Sequence, residues 1–248
     1  MEPLRVSLVG ASGRMGLAVQ ECARRHSDAF ALIGLPGRGD DWAAAFAQCD
    51  VVIDFSLPDA TDALLAAAVA TGKPLVVGTT GHDDEARGRL AHAAKSIPIL
   101  LASNFSVGVN ALFWLTRKAA EILGPDFDLE VIETHHRLKK DAPSGTARRL
   151  VEILAEARRL NLERDLRAGR VGNVGPRAAN EIGVHSVRGG DVVGEHTVLF
   201  AGTGERLELT HRAASRETFA AGALRAAAWL AKQKPGRIYD MEDVLGLR

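Results

Sequence analysis

The sequence predicts an α/β protein in two parts: a doubly wound parallel sheet, then a second α+β domain with an open mixed or antiparallel sheet. Three observations lead there. Short apolar strands alternate with helical stretches in the first part of the chain, the pattern of a parallel sheet covered on both faces. A glycine-rich turn, Gly10-Ala-Ser-Gly-Arg-Met-Gly16, joins the first strand to the first helix. Further on, three strands crowd together with tight glycine-containing connections.

Leu4–Val9 is a continuous apolar run that ends at Gly10 and reads as the first strand. The spacing predicts a helix over Met15–Arg25, with Met15, Val19, Cys22 and Ala23 inward. Ala29–Gly34, Asp50–Phe55, Pro74–Gly78 and Ile97–Ala102 follow as strands, separated by helical stretches near 59–71 and 83–95 and by a small helix within 37–50. The pattern then changes. A helix is expected around 108–123, a strand over Glu130–Thr134, and a helix over Arg148–Arg159 with Leu150, Val151, Ile153, Leu154 and Ala157 on one side. Residues 161–181 are rich in glycine and arginine and read as a surface loop. Ile182–Val187, Gly194–Phe200 and Arg206–His211 read as strands, and a long helix starts at Ser215 with Phe219, Gly222, Ala223, Ala226 and Leu230 at helical spacing.

Composition narrows the function classes. A chain of 248 residues supports one large or two modest domains, and 46% hydrophobic with 25% charged residues is ordinary for a soluble globular protein. Thirty-one basic and 31 acidic side chains balance, without the basic footprint of a nucleic-acid binder. The apolar runs are too short to span a bilayer, and residues 1–10 run directly into a strand, so neither a membrane segment nor a signal peptide is expected. Cys22 and Cys49 have no metal or redox spacing and read as buried free thiols, consistent with a reducing cytoplasm.

The turn at Gly10 is a G-x-x-G-x-x-G variant of the dinucleotide-binding loop, which points to a Rossmann-type domain rather than an ordinary tight connection. Its glycines let the backbone approach a pyrophosphate set on the helix N-terminus, so Gly10, Ala11, Ser12, Gly13, Arg14 and Met15 are candidate cofactor residues. The acidic residue expected after the second strand is missing: the chain reads Leu35-Pro-Gly-Arg-Gly39, with no carboxylate before Asp40. Gly78-Thr79-Thr80-Gly81 and Ala102-Ser103-Asn104-Phe105 stand at the carboxyl ends of two further strands, where such folds bind ligands.

The densest chemistry lies in Glu130-Val-Ile-Glu-Thr-His-His-Arg-Leu-Lys-Lys-Asp-Ala-Pro-Ser-Gly-Thr146, the link between a strand and a helix. Asp141 or Ser144 can cap that helix, Pro143 suits its first turn, and Gly145 and Thr146 then present backbone N–H groups to an anion. Adjacent His135 and His136 point to opposite sides of an extended chain, so they are poor joint metal ligands. Proton donors facing a helix start suit chemistry on a small carboxylate. Arg188, Asp191, Glu195 and His196 lie around a glycine-rich strand pair, as sheet-surface groups or as supports of the second domain. His185 and His211 read as structural, and Lys140 as a surface charge.

His135-His-Arg-Leu-Lys139 followed by Asp141-Ala-Pro-Ser-Gly-Thr146 resembles the signature of the dihydrodipicolinate reductase family, the 4-hydroxy-tetrahydrodipicolinate reductases of lysine and diaminopimelate biosynthesis. Gly10–Gly16, Val52–Ser56, Val77–Gly81, Ser103–Asn110 and Gly189–His196 also resemble family motifs, in family order. The resemblance implies a dinucleotide-binding domain of residues 1–106 and 216–248 and a substrate-binding and oligomerisation domain of residues 107–215. It implies a cytoplasmic homotetramer that reduces a small cyclic dicarboxylate. It gives His135 as acid/base, Lys139 as co-donor or electrostatic partner, and His136, Lys139, Gly145 and Thr146 as carboxylate ligands. Where many family members carry an acidic residue this chain has Gly37, followed by Arg38, which favours NADPH through its 2′-phosphate over NADH; otherwise Arg38 is a solvated loop residue. Another nicotinamide enzyme of the aspartate pathway, or a non-catalytic NADPH-binding regulator, are the rivals.

Overall fold

The structure, a computed structural model, describes residues 2–247. In chain order its elements are β1 (Leu4–Val9), α1 (Arg14–Arg25), β2 (Phe30–Gly34), α2 (Trp42–Ala47), β3 (Val51–Asp54), α3 (Thr61–Thr71), β4 (Leu75–Val77), α4 (Asp84–Ala93), β5 (Ile99–Leu101) and α5 (Val107–Leu123). There follow β6 (Asp128–His135), α6 (Gly145–Arg158), α7 (Leu162–Asp165), β7 (Leu166–Ala168), β8 (Ile182–Arg188), β9 (Gly194–Ala201), β10 (Arg206–Ala213), α8 (Glu217–Leu230), β11 (Ile238–Tyr239) and α9 (Met241–Leu245). The chain divides into two compact units, Met1–Val107 with Arg216–Arg248, and Gly108–Ser215.

In the first unit a six-stranded sheet runs in the order β11-β5-β4-β3-β1-β2, with every pairing parallel. Strands buried on both faces read as unbroken apolar runs rather than alternating ones, as Val51–Ile53 and Leu75–Val77 do. One face of the sheet (Val6, Leu8, Ile53, Val76, Leu100) packs against Val19 and Cys22 of α1 and Ala223, Ala227 and Leu230 of α8. The other (Val9, Val52, Leu75, Val77, Ile99) packs against Phe46 of α2, Leu64 and Ala68 of α3 and Leu90 of α4. This is the doubly wound arrangement. Strand order reverses direction at β1, so the crevice between the carboxyl ends of β1 and β3 is where such a sheet admits a ligand.

The second unit holds a mixed five-stranded sheet, order β10-β9-β6-β8-β7, in which β6 lies parallel to β8 and antiparallel to β9. Alternation sets its two faces. Leu129, Val131, Ile182, Val184, Val198 and Phe200 point inward onto Leu150, Val151 and Leu154 of α6.

Two expectations fail here. Residues 161–181 are not all loop: they contain α7 and the edge strand β7, which pairs with β8. Arg170 and Arg177 then pair with Glu130 on the face of β6 opposite the core, with Arg170 also paired to Glu181. The second correction is the start of α6. Ser144 alone caps it, accepting from the N–H of Ala147 at 3.2 Å. Asp141 instead pairs with Lys139, and Pro143, one residue ahead of the cap, lies before the first turn rather than in it.

Candidate active site

Two sets of groups stand out, one in each unit. In the first, a cavity of about 870 Å³ opens at the carboxyl ends of β1 and β3. Gly10, Ser12 and Gly13 line it from the β1–α1 turn, Arg38 from the loop after β2, and Ser56 and Asp59 from the segment after β3. The turn is built for close approach. Gly10 adopts φ +79°, and a Cβ on Gly16 would stand 2.2 Å from the Gly10 carbonyl oxygen. Helix α1 starts without a side-chain cap and with no acidic residue in its first turn, so its N–H groups and dipole face the turn unopposed.

The remaining cofactor candidates divide. Arg14 and Met15 open α1 but do not line the cavity, and neither do Gly78, Thr79, Thr80, Ala102, Ser103, Asn104 or Phe105. The latter two groups sit where expected, just past β4 and β5. Thr79 donates its hydroxyl to the fully buried Asp54 at 2.7 Å, Asn104 accepts from the Ser106 N–H at 2.9 Å, and the Phe105 ring packs edge-on against Phe55. Burial pushes the Asp54 carboxyl up, against the hydrogen bonds from Ser56 and Thr79. At the rim Arg38 reaches Asp59 at 2.8 Å, and Asp40 folds back to accept the Gly37 N–H at 2.8 Å.

In the second unit, register assembles the site. On β6 the inward face continues past Val131 to Glu133 and His135. Pairing places Arg188 of β8 beside His135 and His196 of β9 beside Glu133, and His211 of β10 lies next to His196. Glu133 is fully buried, and its carboxylate accepts from His135 Nδ1 at 2.5 Å, from Arg188 at 2.7 and 2.8 Å, and from the Ser144 N–H at 3.2 Å. Burial would raise the Glu133 carboxyl, but the Arg188 and His135 contacts outweigh it and hold it at about 2.

His135 is 9% exposed and packs edge-on to His196, ring centroids 5.2 Å apart. Burial lowers its pKa, and Glu133 pulls in the opposite direction. His196 is buried more deeply, with Nε2 3.0 Å from the Ser144 hydroxyl and Nδ1 without a partner, and burial pushes it down to about 4. Lys139 follows in the loop and pairs with Asp141 at 2.8 Å. Gly145 and Thr146 are the first two residues of α6, so their N–H groups point out of the helix start. His136 is half-buried just past the end of β6, and Lys140 is exposed. His185 pairs with Glu130, Glu195 with exposed Arg212, and Asp191 is exposed, so these stand outside the cluster.

Glu133, Arg188 and His196 therefore belong to this cluster; of the two readings the sequence left open for Arg188 and His196, the sheet-surface one does not hold. Two signals were available. Glu133 is two residues before His135 on a strand and so shares its side, and His196 lies on a strand that alternates in and out.

The chain as a whole resembles known proteins. A family model described as Dihydrodipicolinate reductase, N-terminus, matches residues 4–105, and one described as Dihydrodipicolinate reductase, C-terminus, matches residues 108–245. The chain is 59% identical over 244 residues to the 4-hydroxy-tetrahydrodipicolinate reductase of Akkermansia muciniphila, covering 98% of each. It is 45% identical over 269 residues to that of Nitrosomonas europaea, covering 100% of each. The dipicolinate-bound dihydrodipicolinate reductase of Paenisporosarcina sp. TG-14 shares the fold, with a TM-score of 0.78 at 24% identity over 97% of this chain and 99% of that one. Matched along both units and by relatives of its own length, the chain belongs to the dihydrodipicolinate reductase family.

Proposed function

We propose that the protein reduces 4-hydroxy-tetrahydrodipicolinate to tetrahydrodipicolinate with NADPH, or less readily NADH, in lysine and diaminopimelate biosynthesis. The observation that carries this is the juxtaposition of buried His135, held by Glu133, with the capped start of α6. A proton donor and an anion-binding helix start belong together where a ring carboxylate is bound and the ring is reduced.

The first unit fits a dinucleotide. A Cβ at Gly16 would run into the turn and one at Gly10 into the Phe55 backbone, and the uncapped start of α1 favours a pyrophosphate. Gly10–Met15 would hold the pyrophosphate, Gly78–Thr80 and Ala102–Phe105 the nicotinamide half, and Arg38 the 2′-phosphate. Loss of the ring hydroxyl as water leaves a conjugated C=N–C=C unit, and the chemistry a bound nicotinamide would supply is a hydride to a ring carbon of that unit. The electrons displaced gather as an enamine, which needs a proton at carbon. His135 delivers it, and Lys139 stabilises the charge or shares the donation. His136, Lys139, Gly145 and Thr146 hold the carboxylates.

The outward face of the second sheet, with Ile132, Leu199 and Val187 among charged residues of β10, supports assembly into a homotetramer. No helix among the described residues is long and apolar enough to cross a membrane, and both cysteines are buried free thiols, which supports a cytoplasmic location. The test is genetic: expressed in a bacterium lacking its own reductase, the chain should remove the requirement for added diaminopimelate. Soluble expression without rescue sinks the reading.

A further inference from the structure

We propose that Glu133 is a positioning residue for His135: it takes the Nδ1–H, which leaves Nε2 as the atom that exchanges the proton with substrate, and Arg188 keeps Glu133 in place as an anion. The proposal rests on the reductase reading above for its kinetic consequence, but its geometric core stands apart from it.

Hydrogen-bond bookkeeping makes the argument. Three of the four contacts to the Glu133 carboxylate come from groups that can only donate, namely the two Arg188 nitrogens and the Ser144 N–H. A carboxylate so surrounded is an acceptor at both oxygens, so the fourth contact, His135 Nδ1 at 2.5 Å, must carry its own hydrogen. Arg188 is itself fixed, because one of the two nitrogens that bind Glu133, Nη2, also donates to the Asp141 carbonyl at 2.7 Å. Glu133 and His135 share one strand face, so the strand sets their separation without help from any loop.

Glycine at 194 keeps a side chain off the opposite edge of the ring: a Cβ there would stand 3.0 Å from His135 Nε2. The other groups facing the ring are His196 from β9, with His211 of β10 behind it, Lys139 from the following loop and Arg188 from β8. Among them Glu133 is the one anion. It favours the imidazolium that a proton donor requires, whereas burial and the cations oppose it.

The test has two arms. Nitrogen-15 NMR of the substrate-free wild type should show neutral His135 protonated on Nδ1, with a strongly downfield proton. A neutral ring protonated on Nε2 overturns the proposal, and this arm needs neither turnover nor a variant. In the second arm, Glu133→Gln should lower kcat by ~10²-fold with little change in KM, the scale on which a misplaced acid–base group acts. It should also move the limb where activity falls with rising pH to lower pH, because the imidazolium has lost its anion. Glu133→Asp should restore part of both. A uniform loss with that limb unmoved means that Glu133 serves folding alone, and the proposal fails. A wild type with the Nδ1–H tautomer but no turnover would refute the reductase reading and leave the orientation standing.

Discussion

Acidification should destabilise the second unit first through His196. The ring is 4% exposed, its Nδ1 has no partner, and burial holds its pKa at about 4, well below the ordinary imidazole value of 6.5. A depressed imidazole is neutral in the fold and protonates more readily in the unfolded chain, so its contribution is fully present above pH ~6.5 and drains away as the pH falls towards ~4. Between pH 8 and pH 5 that linkage removes about 2 kcal/mol from the unfolding free energy, a large share of the 5–15 kcal/mol typical of a domain. Glu133 does not confuse the measurement. Its pKa of about 2 places its own loss lower, as pH falls from ~4.5 towards ~2. His135 and His211, both lowered by burial, add smaller losses in the same direction as His196. The assay is urea unfolding followed by circular dichroism at pH 8 and pH 5, in the wild type and in His196→Gln, which can still reach the Ser144 hydroxyl. The variant should be less sensitive to the drop in pH by about 2 kcal/mol, with unchanged denaturant slopes. Equal losses in the two proteins would refute the account of a neutral buried His196.

Other expected outcomes concern the cofactor turn and the proton donors. Gly16→Ala puts a methyl 2.2 Å from the Gly10 carbonyl oxygen, a backbone clash that should cost about 1–3 kcal/mol of stability and weaken NADPH binding at least ~10-fold by titration calorimetry. Arg38→Ala should raise the Michaelis constant for NADPH ~10-fold and that for NADH far less, on the scale of one lost charge-assisted hydrogen bond; equal effects would return Arg38 to its exposed pairing with Asp59. His135→Gln and Lys139→Ala should each lower kcat by ~10²–10⁴-fold while cofactor affinity, measured by fluorescence, stays near wild type.

Much of the fold was legible because burial on both faces leaves a plain mark. The apolar run of β1 stops at Gly10, and the expected Leu4–Val9 is the strand observed. Strand β7 left no such mark: Leu-Arg-Ala is three exposed residues, and only its pairing with β8 makes it a strand. At the site, the sequence picked out His135, Lys139 and the capped start of α6 because unusual residues stand close together there. It did not reach Glu133, Arg188 and His196, which are 55 and 63 residues apart at the extremes of their pairings and meet only through the β6–β8 and β6–β9 registers. Reading the strand as ending at Thr134 hid the relation of Glu133 to His135, since the strand runs through His135. Pro143 and Asp141 misled for a local reason: three polar or turn-forming residues compete for one cap, and the hydroxyl three positions before Ala147 has the reach.

The most direct test of the reductase account is the oxidation of NADPH and NADH, followed at their absorbance band. The substrate is generated in place from pyruvate and aspartate semialdehyde by the synthase that makes it. Turnover that depends on the synthase and is faster with NADPH at low cofactor concentration is the expected result. Cofactor binding without synthase-dependent oxidation of either nucleotide would contradict it.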